Sequence, residues 1–362
     1  MGDVPRPASF ARRASRGPSP LARGVPRRTG RLGVVSGGFL AAALLVASGV
    51  PVGASPRTPE SSTGTQVTVV LAWYPTAEYG GLYAAQSKGY FSSAGIQLKI
   101  TPGGPNVNPV PIVAANRAQV GFGGSEATIL TADMTAPNFV EFATEFEKSP
   151  EGVEYHKSHS ISGFSNVSNH TLLVVPGDPA YAWIKAKYHL TNVKLGPFNY
   201  SLFRRNPGDL EYGFVSDDLP TLAASGTSKV GYILPADHGF NENGDVLFTS
   251  MSYLRGHRAV LKRFTKALQK GWRYYATHYS AVNQVIYQAD KSIPVKVENQ
   301  IARIELPFVF AGAAKTHGIG YISPSHFKSV YRVMKQLKIV TKPLAAGKFV
   351  APLSTPSIKP PS

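Results

Sequence analysis

The sequence predicts an α/β protein of two lobes, each built on a mainly parallel sheet, with a helical closing segment. Two observations predict this class. Between residues 67 and 146, short apolar runs rich in Val and Leu alternate with helix-length segments, which is typical of a parallel sheet covered by helices. A second series of such runs begins at residue 170, and from about residue 257 the pattern changes to long amphipathic helices.

Residues 1–54 have the pattern of an export signal. Eight arginines fall within the first 31 residues, an uncharged apolar run covers 32–50, and small residues follow up to Ala54. We predict cleavage after Ala54. The alternative is an uncleaved anchor through 32–50, because 19 residues in a helix come close to the ~30 Å thickness of a bilayer core. Both alternatives place the rest of the chain outside the cytoplasm, and the pair Arg27 and Arg28 leaves the export route open.

The first lobe is predicted to begin after a linker over 55–66, which is rich in Pro, Ser and Thr. A helix with Ser125 as its N-cap is the clearest local signal. The predicted strands are 67–72, 96–100, 119–124 and 138–146, and the predicted helices are 79–87, 110–118 and 125–134.

The second lobe repeats the alternation with new material. Pro179 is predicted to occupy the first turn of a helix over 178–190, and the predicted strands are 170–175, 192–198, 210–215 and 229–235. A helix over 257–276 then places Val260, Leu261, Phe264, Leu268 and Trp272 on one face. We assign 67–167 and 248–341 to lobe 1, 168–247 to lobe 2, and 342–362 to a disordered, Pro-rich tail.

Charge and cysteine content exclude several functional classes. The eight N-terminal arginines against Asp3 account for seven of the +17 charges, which leaves +10 for the rest of the chain. That remainder shows no nucleic-acid-reading module, so nucleic acid is not predicted as a partner. The absence of Cys excludes disulfides, thiolate metal sites, a Cys nucleophile and lipid attachment through an N-terminal Cys.

The turn after the first predicted strand carries the strongest chemical signal. It contains Trp73, Tyr74, Glu78 and Tyr79, and in parallel sheets such turns face the ligand crevice. Flat apolar faces beside one carboxylate suit a planar heterocycle with N–H donors. The alternative is that the aromatic side chains belong to the core and that Glu78 only favours the N-terminus of the following helix.

The segments "LAWYPTAEYGGLYAAQSKGYFSSAGIQL" and "IVAANRAQVGFGG" resemble the extracytoplasmic solute-binding proteins of ABC importers. The similarity is greatest to the thiamine-pyrimidine-precursor branch, which is related to the nitrate, sulfonate and taurine binders. It continues through "PGDPAYAWIKAKYHL" and "LEYGFVSDDLP" and covers most of 67–290. The resemblance implies a type II periplasmic-binding-protein fold, a monomer, a small-molecule ligand and a permease partner in the membrane.

The resemblance also implies ligand contacts from both lobes. They are Trp73, Tyr74, Glu78, Tyr79, Gly124 and Ser125 from lobe 1, and Gly177, Tyr181, Asp217 and Asp218 from lobe 2. Relatives usually have a glutamate followed directly by proline where this chain has "SDDLP". The ligand therefore stays open between a thiamine pyrimidine precursor, a riboflavin-type ligand, and nitrate, sulfonate or taurine, although an acidic wall favours the heterocycle over an anion.

Neither catalysis nor a resident cofactor or metal is predicted. Pyrimidine synthases of the same fold use iron, a cysteine-rich motif and one of their own histidines, whereas this chain has no Cys and no histidine in "GFGGSEATIL". His156 and His159 are closely spaced but lack a third ligand nearby, which favours a solvated or capping role. A second class of function stays open: a cell-envelope interaction protein that uses the basic helical face at 258–273.

Overall fold

The computed structural model describes residues 64–135, 138–159, 161–343 and 349–361. The predicted export signal over 1–54 lies outside these residues. The described part of the chain contains no helix that is both long and apolar enough to cross a membrane.

Two five-stranded sheets form the framework of the described residues. The strands are β1 Thr65–Val70, β2 Ile96–Thr101, β3 Val120–Phe122, β4 Phe139–Phe146, β5 Glu151–His156, β6 Thr171–Val174, β7 Lys194–Pro197, β8 Leu210–Phe214, β9 Val230–Ile233 and β10 Gly244–Ser250. The first sheet has the order β2-β1-β3-β10-β4, and the second has the order β7-β6-β8-β5-β9. In each sheet four strands run in the same direction and one strand, β10 in the first sheet and β5 in the second, runs antiparallel to both of its neighbours. The predicted class, two α/β lobes, is confirmed.

Helices cover both sheets. They are α1 Gly80–Ser87, α2 Tyr90–Ser93, α3 Pro109–Ala114, α4 Glu126–Asp133, α5 Pro179–Tyr188, α6 Tyr200–Arg205, α7 Val215–Ala224, α8 Met251–Ala289, α9 Val295–Val309, α10 Ala314–His317 and α11 Pro324–Gln336. The Ser125 hydroxyl caps α4 by accepting from Thr128 N–H, and Asp178 caps α5 ahead of Pro179. Both predicted helix starts are therefore confirmed.

The chain enters the second sheet earlier than the assigned lobe boundary at residue 168. Strand β5 lies between β8 and β9, antiparallel to both, whereas the assigned boundary keeps these residues in lobe 1. Glu151 and Glu154 break the apolar pattern that signals an interior strand, yet both side chains are buried.

The C-terminal segment is also more ordered than predicted. Residues 349–361 pack on the first lobe: Ala351 N–H donates to Glu141 O at 2.8 Å, and Leu353 N–H donates to Phe142 O at 3.2 Å. Phe349, Val350 and Leu353 are buried. The expectation of a disordered tail over 342–362 was wrong for this part, because its few apolar residues are spaced to dock on β4.

Helix α8 is longer than the predicted 257–276. It begins after Ser250, whose hydroxyl accepts from Tyr253 N–H, and it departs from helical geometry at His257 and His278. The predicted apolar face is confirmed, since Leu261, Phe264 and the rest of that face are buried in the main core cluster of lobe 1.

Candidate binding cleft

A cavity of about 430 Å³ lies between the two lobes, where the parallel strands of both sheets end. Its lobe 1 wall consists of the turn after β1, the loop after β2, and the start of α4. Its lobe 2 wall consists of the segments after β6, β7 and β8. The lining residues are Ala72, Trp73, Glu78, Gly104–Pro109, Gly123–Ser125, Thr128, Glu151, Val175–Asp178, Phe198, Tyr212–Phe214, Asp217 and Asp218.

Two aromatic rings from opposite lobes meet at this cavity. The rings of Trp73 and Phe198 make an edge-to-face contact with centroids 5.3 Å apart and an interplanar angle of 89°. The turn that contains Trp73 is bound to the core of lobe 1, because Trp73 N–H donates to the hydroxyl of the buried Tyr79 at 3.0 Å. The cavity therefore has an apolar wall that is held in place by the lobe 1 core.

The polar part of the lining includes five carboxyl groups from both lobes: Glu78, Glu151, Asp178, Asp217 and Asp218. Glu78 lies on the 3₁₀ turn Ala77–Tyr79, which Thr76 caps. The Thr76 hydroxyl also donates across the cleft to Asp217 Oδ2 at 3.0 Å. The two lobes are thus joined by a hydrogen bond directly beside the cavity.

Burial raises the pKa of these carboxyl groups. Desolvation, followed by the neighbouring Asp245, raises the pKa of Glu78 well above its ordinary value. Desolvation, followed by Glu78, does the same for the pKa of Asp217. Desolvation raises the pKa of Asp218 to about 8, against the opposing hydrogen bond from Tyr200. Because no positive side chain stands against them in the described lining, these groups favour the neutral acid.

Glycines in the lining leave space in the cavity because they have no side chain. Gly124 and Gly177 have positive φ values of 64° and 85°, and no atom lies within 4 Å of where a Cβ would be. Gly213 has the opposite role, since a Cβ there would lie 2.1 Å from Asp218 Oδ2. The Asp218 carboxyl can occupy its position only because residue 213 has no side chain.

The structure brings most of the predicted ligand contacts to this cavity. Those that line it are Trp73, Glu78, Gly124, Ser125, Gly177, Asp217 and Asp218. Three do not. Tyr79 is fully buried and packs edge-to-face on Phe122, Tyr74 is 43% exposed, and Tyr181 lines a second, more apolar depression beside Leu195 and Ile339.

Several lining residues were not predicted from the sequence. Phe198 follows β7, and Glu151 and Tyr212 lie on paired strands of the second sheet, where the Tyr212 hydroxyl donates to Glu151 Oε2 at 3.4 Å. The loop Gly104–Pro109 had a detectable signal, a run of Gly, Pro and Asn between a strand and a helix. The other residues had none, because they belong to the cavity only through the pairing of distant strands.

Positive groups and metal-binding geometry are both missing from this part of the described structure. None of the lining residues is Lys, Arg or His. Across the described ranges, no three His, Asp or Glu side chains are arranged to hold a metal ion. The two closely spaced histidines lie elsewhere in lobe 2: the His156 ring stacks on Phe203 at 4.4 Å, and His159 contacts Ser158.

Comparison with solved structures defines the class: two α/β lobes with a cleft between them, the type II periplasmic-binding-protein fold. A conserved gene product of Candida albicans, described as having the generic periplasmic binding protein fold, is 12% identical, with coverage of 80% of this chain and 97% of that chain and a TM-score of 0.58. The alkanesulfonate-binding protein SsuA from Xanthomonas axonopodis pv. citri, bound to MOPS, is 10% identical, with coverage of 79% and 98% and a TM-score of 0.60. The desulfurization enzyme DSZB is 14% identical, with coverage of 79% and 96% and a TM-score of 0.53.

The family is shown by the sequence itself. The chain belongs to the NMT1/THI5 like family, whose model matches residues 76–281. That range includes every lining residue of lobe 2, together with Glu78, Gly124 and Ser125 of lobe 1, while Trp73 and Tyr74 precede it. No curated protein matches the sequence.

Proposed function

We propose that the protein is the extracytoplasmic substrate-binding component of an ABC importer, and that it captures a small heterocycle similar to a thiamine pyrimidine precursor. The observation that carries this proposal is the composition of the interlobe cavity. It combines the rings of Trp73 and Phe198 with five carboxyl groups and, among the described lining residues, no cation. A volume of about 430 Å³ falls within the range of small-molecule sites.

The chemistry of the lining selects among ligand classes. A flat ring can stack against the Trp73 and Phe198 wall, and its amino or ring N–H groups can donate to Glu78 or Asp217. An anionic ligand would lose its hydration with no cation opposite it among the described lining residues, which is unfavourable in a partly buried site. The proposed function therefore differs from that of the sulfonate-binding neighbour, which shares the fold alone.

A membrane permease is part of the same proposal. Two-lobed binding proteins usually close their cleft around a ligand before they deliver it to a partner. One ligand per chain is consistent with a monomer. The competing functions are catalysis, as in the desulfurization enzyme of the same fold, and an envelope-interaction role. The envelope-interaction role gives no reason for an aromatic and acidic cavity between the lobes.

A thermal-shift panel on the purified full-length chain tests the proposal at pH 4 and pH 7. The panel contains aminopyrimidines, a flavin, taurine, an alkanesulfonate and nitrate. We expect an aminopyrimidine to raise the melting temperature, since a ligand at 100 times its Kd adds about 2.7 kcal/mol of stability. A shift with the sulfonate or nitrate, and none with any heterocycle, would contradict the proposal.

A further inference from the structure

The carboxyl groups of this protein are distributed in an unusual way. From residue 64 onward the sequence has 19 Asp and Glu residues, and among the described residues the only exposed one is Asp237. Acidic side chains are almost never fully buried unless they are paired. Fourteen are buried here: Glu78, Glu126, Asp133, Glu141, Glu145, Glu151, Glu154, Glu211, Asp217, Asp218, Glu242, Asp245, Glu298 and Glu305.

The positive charges are separated from these carboxyl groups. Every Lys and Arg in the described ranges is exposed except Lys148, which is half-buried. The one ion pair found in those ranges joins Lys148 Nζ to the exposed Asp237 Oδ1 at 2.6 Å. None of the fourteen buried carboxyl groups therefore has a cation as its partner.

Most of the buried carboxyl groups instead face one another, and the central cluster does so across the two lobes. The Asp217 side chain on α7 of lobe 2 is within hydrogen-bond reach of Glu78 on lobe 1 and of Glu305 on α9. Glu78 in turn reaches Asp245 on β10. The other titratable groups that face this central cluster are Asp218, Glu145, Glu151, Glu298, Tyr79 and Tyr275.

Two further clusters repeat the arrangement away from the centre. In lobe 2, Glu154 on β5 reaches Asp218, and the facing titratable groups are Glu211, Asp217 and Tyr200. The other cluster spans the lobes: Glu141 on β4 of lobe 1 faces Glu126 and Glu242, and Asp178 of lobe 2 also faces Glu242.

These contacts need protons. Both carboxyl oxygens of Asp245, and both of Glu154, lack any N–H or hydroxyl donor, although each lies within reach of another carboxyl group. An ionised carboxylate only accepts hydrogen bonds, whereas a protonated one also donates. A hydrogen bond between Glu78 and Asp245 therefore exists only while at least one of the two carries a proton.

We propose that the native state of this protein is assembled from neutral carboxylic acids, so that it folds and works in an acidic medium and loses stability toward neutral pH. The acids join the lobes at the cleft and are also buried among the apolar side chains of both lobes. The surface suits the same conditions, because its lysines and arginines stay charged in acid and almost no surface carboxylate is available to be neutralised. This proposal does not depend on the identity of the ligand.

The direction of the pH dependence follows from the raised pKa values. Burial raises the pKa of Glu126 and of Glu242 to about 8, and burial together with Asp218 raises the pKa of Glu211 to about 9. In the unfolded chain such groups titrate near pH ~4. Their contribution to stability is complete below about pH 4 and is lost as the pH rises through the folded-state values.

The first test is the melting temperature of the full-length chain, without ligand, between pH 3 and pH 8 by circular dichroism. We expect the highest value near pH 3–4 and a fall of at least about 10 °C by pH 8. A melting temperature that rises from pH 3 toward pH 7 would overturn the proposal. Full recovery at pH 8 with added Mg²⁺ or spermine would also overturn it, because the groups would then be ionised cation ligands.

Two variants distinguish the effect of protonating one buried carboxyl group from the effect of changing the net charge of the protein. Glu141 is fully buried, both its oxygens lack a donor, and it does not line the cavity. Glu141→Gln should raise the melting temperature at pH 8 and leave it nearly unchanged at pH 3.5, because Gln resembles the neutral acid. The matched control is the exposed Asp237→Asn, for which we expect a small change at both pH values.

A variant at a second buried carboxyl group, Glu211, controls for a packing defect that is specific to the Glu141 site. Glu211 Oε1 accepts from Asn199 N–H at 3.2 Å, an interaction that Gln can keep. Glu211→Gln should show the same pattern as Glu141→Gln. If both variants lower the melting temperature equally at pH 3.5 and pH 8, the carboxyl groups act through shape alone and the proposal fails.

Discussion

At the scale of single residues, the main uncertainty concerns the role of Trp73 in the turn after β1. The sequence left open whether its ring belongs to the core or to a ligand site. In the structure the ring is partly exposed, lines the interlobe cavity and touches Phe198 of the other lobe. The nearby Tyr79 does belong to the core. The ligand-site interpretation therefore applies to Trp73, and the core interpretation applies to Tyr79.

We expect Trp73→Ala to weaken ligand binding by roughly 1 to 3 kcal/mol through loss of stacking area, with little change in folding stability. Tyr74→Ala is the matched control, because Tyr74 is adjacent but does not line the cavity. Calorimetric affinity and the unfolding midpoint should be measured on the same preparations. A loss of several kcal/mol of folding stability with unchanged affinity would show that Trp73 is a core residue.

At the scale of elements, the paired glycines of α1 explain how the first lobe is closed. A Cβ at Gly80 would lie 2.3 Å from the Tyr275 ring, and one at Gly81 would lie 2.3 Å from the Trp272 ring. Gly271 on α8 completes the contact, since a Cβ there would lie 2.0 Å from Gly81 O. The two helices can approach this closely only because these three positions have no side chain.

Gly81→Ala should therefore destabilise the protein by about 1 to 3 kcal/mol or more, because the Trp272 ring must move. That ring is also held by its Nε1–H, which donates to Glu145 Oε1 at 2.8 Å. Gly256→Ala on the same α8 is the control, since nothing lies within 4 Å of its Cβ, and it should be neutral or stabilising by up to ~1 kcal/mol. Urea unfolding of both variants at pH 4 makes the comparison. Equal stability would mean that α1 and α8 can repack.

Elements whose signals are local could be predicted from the sequence, and elements defined by distant partners could not. The capped starts of α4 and α5 depend on the chemistry of two or three adjacent residues, and both were predicted. Strand β5 was missed because Glu151 and Glu154 have the pattern of a surface segment unless their carboxyl groups are neutral. Glu151 was not predicted as a site residue for the same reason. Glu78 and Asp217 were predicted because they lie in the segments that resemble solute-binding proteins.

At the scale of the whole molecule, closure depends on a small number of contacts between the lobes. Asp217 accepts from the Thr76 hydroxyl of lobe 1, and the Ser216 hydroxyl donates to Glu305 Oε1 at 3.4 Å. Both contacts lie at the first turn of α7, so this turn is a point where lobe 2 contacts lobe 1. A ligand favours the closed state only through contacts that the open state lacks.

Asp217→Ala should therefore impair closure more than the first docking of ligand. Loss of the Thr76 hydrogen bond alone, about 0.5 to 1.5 kcal/mol, predicts dissociation at least about 2- to 10-fold faster, with a nearly unchanged association rate. Small-angle scattering at pH 4 and equal ligand occupancy should show less contraction than in the unmodified protein. Asp209→Ala is the control, because Asp209 lies in a turn of lobe 2 and accepts from Asn206, away from the cavity. If both variants contract fully and release ligand at the unmodified rate, the lobes are held closed by other contacts, of which the ring pair of Trp73 and Phe198 is the first to test.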